Sequence, residues 1–216
     1  MRRNYYLMLD TETYGGFKTP TVYDLGMAIV DKKGKLYAKY SFVISETFHD
    51  KAIETAYFAC KIPMYFQELE MGKRKEISFE GARWIANQLI KKWNVKAVVA
   101  HNARFDCTAL DCTAKLFGYP SFFETEVVWF DTLQMAADTI GKQPTYHRFC
   151  ERNGYMTARG KPQLKAGILY RYCSGDNNFN ESHTGLEDVM CEKVIFVCCL
   201  RQHKKMRTAF FNYDNR

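Results

Sequence analysis

Tyr5-Tyr6-Leu7-Met8-Leu9-Asp10-Thr11-Glu12-Thr13 runs from an apolar, aromatic stretch straight into a pair of carboxylates. An apolar run of this length that ends in acid reads as a buried strand reaching a polar edge. Tyr14-Gly15-Gly16 then breaks it. Alternate side chains on a strand share a face, so Asp10 and Glu12 should point together while Thr11 points away. Like charges held side by side are unfavourable unless something positive lies between them. Hard oxygen donors of this kind suit Mg2+ or Mn2+, and open α/β sheets bind ligands at the C-terminal ends of their strands. Asp-x-Glu alone is common, so the pair gains meaning from what lies further along.

Working outward, Val22 to Val30 and Leu36 to Ile44 read as two strands of a hairpin, joined at the turn Asp31-Lys32-Lys33-Gly34. Residues 45–78 are rich in aromatic side chains and show no clear period; they are expected to be partly helical. Apolar positions at helical spacing predict a helix over Phe79 to Trp93, followed by a short buried strand, Ala97-Val98-Val99-Ala100. A helix from Ala103 to Phe117, a strand near Val127 to Phe130 and a helix from Thr132 to Ile140 come next. Further helices are expected over Tyr146–Arg152, Leu164–Tyr172 and Gly185–Arg201. Five strands with helices between them predict an α/β domain, a central five-stranded mixed sheet flanked by helices. The expected organisation is a single domain over residues 1–216, with a core over about 5–200 and a short basic tail, 201–216.

The second cluster, His101-Asn102-Ala103-Arg104-Phe105-Asp106, follows the strand at 97–100. With Asn102 as N-cap, Asp106 falls in the first helical turn, again at the C-terminal edge of a strand. His101 reads as a packing or hydrogen-bonding residue. The third cluster is His183-Thr184-Gly185-Leu186-Glu187-Asp188. Thr184 and Glu187 match a capping box, which places His183 just before the cap and Asp188 at the fourth helical position. Those two positions meet in a staple-like arrangement, whereas five residues within one regular helix would lie about 140° apart. His183 is therefore expected on a loop beside Asp188.

Taken together, Leu9-Asp10-Thr11-Glu12-Thr13, Asn102-x-x-Phe105-Asp106 and His183-x-x-x-x-Asp188 resemble the signature of the DEDD exonucleases. The branch is the one with a histidine in the third motif, the DnaQ-like and RNase T-like members of the RNase H-like superfamily. Phe130-Asp131-Thr132-Leu133 resembles the family's fifth strand, and the resemblance spans residues 5–200. It implies an RNase H-like domain and a metal-dependent 3′→5′ exonuclease that releases nucleoside 5′-monophosphates from single-stranded DNA or RNA ends. By the same resemblance Asp10, Glu12, Asp106 and Asp188 hold two divalent cations, Mg2+ or Mn2+, and His183 is the general base. Thr11, Thr13, Tyr14, Asn102 and Phe105 are candidates for contacting the terminal nucleotide. Gly185 stands where relatives often carry alanine, and it keeps close packing open. The alternatives are a catalytically silent nucleic-acid-binding module and a proofreading subunit docked to a polymerase.

Bulk composition agrees with this class. The 216 residues are 47% hydrophobic and 25% charged, with a formal net charge of +7, and the basic excess favours a polyanionic partner. No apolar run is long enough to span a membrane, and Asp10 interrupts the only apolar stretch near the N-terminus, so a cytoplasmic protein is expected. The small size and cysteine content resemble stand-alone versions carried by bacteriophages, for which the compartment would be the host cytoplasm. The eight cysteines show no Cys-x-x-Cys spacing and several sit in apolar stretches, so reduced thiols are expected. Phe210 and Phe211 in the tail would either dock a partner, a polymerase or a second copy, or fold back onto the core.

Overall fold

The computed structural model describes residues 4–213. Its strands are β1 (Tyr5–Tyr14), β2 (Thr21–Asp31), β3 (Leu36–Ile44), β4 (Lys75–Ile77), β5 (Ala97–Ala100) and β6 (Trp129–Asp131). They form one mixed sheet in the order β4-β3-β2-β1-β5-β6. β1–β2 and β2–β3 are antiparallel, whereas β1–β5, β5–β6 and β3–β4 are parallel. The sheet thus has six strands, one more than the sequence predicts. The extra strand, Lys75–Ile77, is three residues long and mostly exposed, too short for an alternating pattern to mark it.

The helices are α1 (Ser45–Phe48), α2 (Ile62–Glu70), α3 (Phe79–Trp93), α4 (Arg104–Leu116), α5 (Thr132–Asp138), α6 (Pro144–Arg152), α7 (Ala166–Ser174) and α8 (Gly185–Arg201). The period-two alternation of β1 sends its residues into two cores. Leu7 and Leu9 pack with Leu25, Met27 and Ile29 of β2 against α3 and α4. Tyr6 and Met8 pack with Ala28 and Val30 against α5, α7 and α8. Asp10 and Glu12 continue the second row, so they emerge on the side covered by α8. There Gly26 of β2 meets Gly185: a Cβ built on Gly26 would lie 2.1 Å from the Gly185 carbonyl carbon. The missing side chains let the first turn of α8 rest on the sheet backbone, as Gly185 was expected to allow.

The segment 45–78 folds as α1, two 3-10 turns (Lys51–Thr55 and Ala59–Lys61) and α2. It closes a third apolar cluster, in which Phe48, Ile53 and Tyr65 pack on Tyr14, Tyr23 and Val43. The C-terminal tail folds back along β6. The Asp131 N–H donates to the Thr208 carbonyl (2.8 Å), the Phe211 N–H donates to Asp131 Oδ2 (2.9 Å), and Phe211 is buried. This covers a sheet edge that would otherwise present free backbone groups. Among the described residues no helix is long and apolar enough to cross a membrane, and the cysteines are free thiols.

Candidate active site

β1 delivers Asp10 and Glu12, and the N-terminal turn of α8 delivers Asp188. Carboxylate oxygens of these three lie within 4.8 Å of one another. Asp106, the third residue of α4, enters from the other side of β1. Its Oδ1 accepts from both the Thr11 N–H (3.0 Å) and the Thr11 hydroxyl (2.9 Å). Thr11 does point away from Asp10 and Glu12, but what it meets there is Asp106, so its side chain holds a carboxylate in place instead of being free for a ligand. All four acids line one cleft of about 560 Å3, together with His101, Asn102, Phe105 and His183.

Asn102 is not the N-cap of α4. It sits at φ 63°, in the left-handed region that Asn tolerates. Ala103 holds the cap position, and the Asn102 N–H donates to Asp131 Oδ1 (2.9 Å). That same oxygen accepts from the Leu133 N–H (2.9 Å) at the start of α5, so Asp131 ties the second motif to the next helix. The third motif needs a similar correction. Thr184 is the N-cap residue of α8, yet its hydroxyl donates to Glu187 Oε2 (2.7 Å) and caps no helix N–H. Glu187 is drawn outward by Arg74, whose guanidinium lies 2.9 Å away. His101 behaves as expected of a hydrogen-bonding residue: its Nε2 donates to the Leu164 carbonyl (2.9 Å), and its Nδ1 lies 2.9 Å from the Thr132 hydroxyl.

His183 lies just outside α8 with φ 51°, and one of its ring nitrogens comes within 4.8 Å of carboxylate oxygens of Asp188 and Glu181. Residues from the segment 45–78 hold this loop. The Phe58 ring stacks on the imidazole at 4.3 Å and 12°, and Lys61 Nζ donates to the carbonyls of Ser182 and His183. Sequence reading missed these two, because Phe58 belongs to a run of aromatics that looks like core and Lys61 to no motif. It missed Glu181 and Glu192 as well. The second had a readable signal, since Asp188 and Glu192 are four apart and so share a helix face.

Burial and mutual repulsion push the acids towards their neutral forms. Glu12 is raised to about 9 by burial, then by Asp24 and Asp188, against the pull of Lys61. Asp188 is raised to about 7 by burial and Glu181. Asp106 is raised to about 7 by burial, restrained by its bonds from Thr11. Asp10 and Glu192 are raised well above the usual range, by burial first and then by neighbouring carboxylates. His183 is lowered, by burial and then by Lys61, against the opposing effect of Glu181. Clustered carboxylates of this kind are relieved by a hard divalent cation, and their all-oxygen donor set fits one.

A second cleft of about 410 Å3 opens beside the acids, lined by Thr11, Glu12, Thr13, Tyr14, Gly16, Phe17, Tyr57, Phe58 and Phe105. Phe17 and Tyr57 are 91% and 90% exposed at its rim. Tyr14 is itself buried, with its hydroxyl on Asp50 Oδ2 (3.1 Å), so it contributes wall, not a free donor.

No family model and no curated protein matches the sequence. Solved structures do match. Escherichia coli exonuclease I in complex with a 5cy-dT13 oligonucleotide is 14% identical with a TM-score of 0.63, covering 94% of this chain and 41% of that one. Exonuclease I from Methylocaldum szegediense is 15% identical with a TM-score of 0.59, covering 93% of this chain and 41% of that one. A zinc-bound E. coli exonuclease I–ssDNA complex is 13% identical with a TM-score of 0.54, again covering 94% and 41%. The chain, which spans about two fifths of the length of these structures, has their mixed α/β, RNase H-like fold.

Proposed function

We propose that this chain is a divalent-metal-dependent 3′→5′ exonuclease that removes nucleoside 5′-monophosphates from single-stranded DNA or RNA ends. The observation that carries this reading is the meeting of Asp10, Glu12 and Asp188 within 4.8 Å, in a fold shared with oligonucleotide-bound exonuclease I. Asp10, Glu12, Asp106 and Asp188 would hold the cations, Mg2+ or Mn2+. When bound, these supply charge neutralisation at the attacked phosphate and at the attacking and leaving oxygens. His183 takes the proton of the attacking water at a ring nitrogen. Its lowered pKa keeps the imidazole neutral, and so able to accept that proton, at pH 7. Phe58 and Lys61 restrict where that nitrogen can go.

The terminal nucleotide is assigned to the cleft beside Thr13 and Tyr14, with Phe105, Phe17 and Tyr57 as stacking surfaces. Base–aromatic stacking adds about 1–3 kcal/mol per base and tolerates every base. Asn102 would meet the strand from the neighbouring cleft. Of the two readings of the tail, docking or folding back, the second describes Phe211, which packs onto the core of its own chain.

The test is a 5′-labelled single strand incubated with the purified chain and Mg2+, with and without EDTA. A ladder shortening from the 3′ end, lost in EDTA, is the expected result. Tight binding with no shortening in Mg2+ or Mn2+ would instead make the chain a silent binding module.

The acid cluster also sets how stability should depend on pH. Glu12, at about 9, and Asp106 and Asp188, at about 7, are raised by folding. The folded chain therefore binds more protons than the unfolded one between about pH 4 and about pH 9, and stability is lost as pH rises through that window. In EDTA the melting temperature should fall between about pH 5 and about pH 9, and Mn2+ should remove most of the fall, because cations compete with the protons. An equal fall with and without Mn2+ would mean that the acids do not share a cation.

A further inference from the structure

Glu192 lies on α8 one turn beyond Asp188, is 3% exposed, and lines the same cleft as Asp10, Asp106 and Asp188. The three motifs do not call for it. Its helical neighbours at similar depth, Val189, Ile195 and Phe196, are apolar and fill the core. Among the described residues, Glu192 Oε2 is the one buried side-chain oxygen or nitrogen with no hydrogen-bond partner. The His101 backbone N–H bonds the carboxylate, and Oε2 is left without a partner in a residue that lines the cleft of acids. A buried carboxylate oxygen without a partner is costly, and more so one helical turn from a like charge. The His101 N–H needs only one acceptor, which a neutral amide would also supply, so that bond does not by itself call for a charge here. A divalent cation in the cleft would supply the partner.

We propose that Glu192 is a fifth carboxylate of the cation cleft: it stands outside the tight group of Asp10, Glu12 and Asp188 and offers Oε2 to a divalent cation in the cleft that it lines with Asp10, Asp106 and Asp188. This rests on the cation site of the nuclease reading and adds a ligand to it. The extra carboxylate brings more negative charge to the centre, so the cation is held more tightly than by the motif acids alone.

The experiment is calorimetric titration of Mn2+ into the intact chain and into Glu192→Gln, with melting of both in EDTA. Glu192→Gln keeps size and shape while removing the charge, and should weaken Mn2+ binding roughly tenfold or more, the scale on which loss of a supporting group acts at metal sites. Glu192→Asp, which keeps the charge on a shorter arm, should bind between the two. In EDTA, Glu192→Gln should melt no lower than wild type. Wild-type affinity in Glu192→Gln would overturn this assignment while leaving the nuclease reading in place. A clearly lower EDTA melting temperature would overturn it too, because Glu192 would then be supporting the fold. A wild-type chain that takes up no Mn2+ would remove both.

Discussion

Asp188→Ala is expected to abolish strand shortening while the chain still folds. Asp188 is 6% exposed and belongs to both groups of ligand atoms at the site, one with Asp10 and Glu12 and the other with Glu181 and His183. Its removal therefore opens the cation site and takes away the carboxylate beside the proposed base. Groups that stabilise charge only in the transition state act on kcat, and losing one costs on the order of 10²–10³-fold. A cation ligand shared in this way should cost at least that much. Stability should move the other way. The carboxylate is lightly held: it accepts from the His183 backbone N–H and from the Ser182 hydroxyl, which is long at 3.3 Å. Its pKa is raised to about 7, so above that pH the ionised carboxylate opposes folding in the absence of metal. In EDTA at about pH 8, well above its ordinary carboxylate range, the variant should melt at or above wild type. Turnover equal to wild type would end the assignment of Asp188 as a ligand.

Arg74→Ala should give the largest loss of stability. The Arg74 side chain is 2% exposed and reaches into the fold between β3 and α8. Its Nε donates to Glu68 (2.6 Å), its Nη1 to Asp24 (3.2 and 3.3 Å) and to the Ser41 hydroxyl (2.8 Å), and its Nη2 to Glu187 (2.9 Å). The guanidinium also lies over the Tyr65 ring, 4.7 Å from its centroid. Asp24 is fully buried, accepts from the Tyr65 hydroxyl (2.7 Å) and from the Gly185 N–H (2.8 Å), and pairs with Glu12 across the β1–β2 ladder. It fixes the first residue of α8 and, through it, the position of Asp188.

Removing the cation strands Asp24 in the interior, a change that typically costs about 3–5 kcal/mol. Asp24 is already raised by burial against the pull of Arg74. Without Arg74 it rises further, so its ionised form opposes folding more strongly and the deficit should deepen as pH increases. Urea melts of Arg74→Ala at two pH values would measure this. A loss below about 1 kcal/mol, the range of an exposed ion pair, would mean that the network does not brace the site.

The sequence by itself determined the elements with a local period or a local stop signal. β1 to β3, the strand at 97–100 and the helices at 79–93 and 185–201 fall where alternation and helical spacing place them. Asp10 and Glu12 share one face of β1, and Asp106 and Asp188 lie in the first turns of α4 and α8, because backbone geometry fixes side-chain direction within a few residues. His183 outside α8 followed from counting residues around a cap.

What only the tertiary structure decided are pairings between residues far apart in the chain. Arg74 meets Asp24 and Glu187, Lys61 meets the backbone around His183, and Thr11 meets Asp106. Each is a polar group whose burial depends on what folds over it, and no period in the sequence records that. The local rules failed for the same reason. Thr184 gives up its capping bond because Glu187 turns to Arg74, and Asn102 leaves the cap position because its N–H is taken by Asp131. Glu192, on paper one more acid on a helix, becomes a buried carboxylate only once α8 lies across the end of β1.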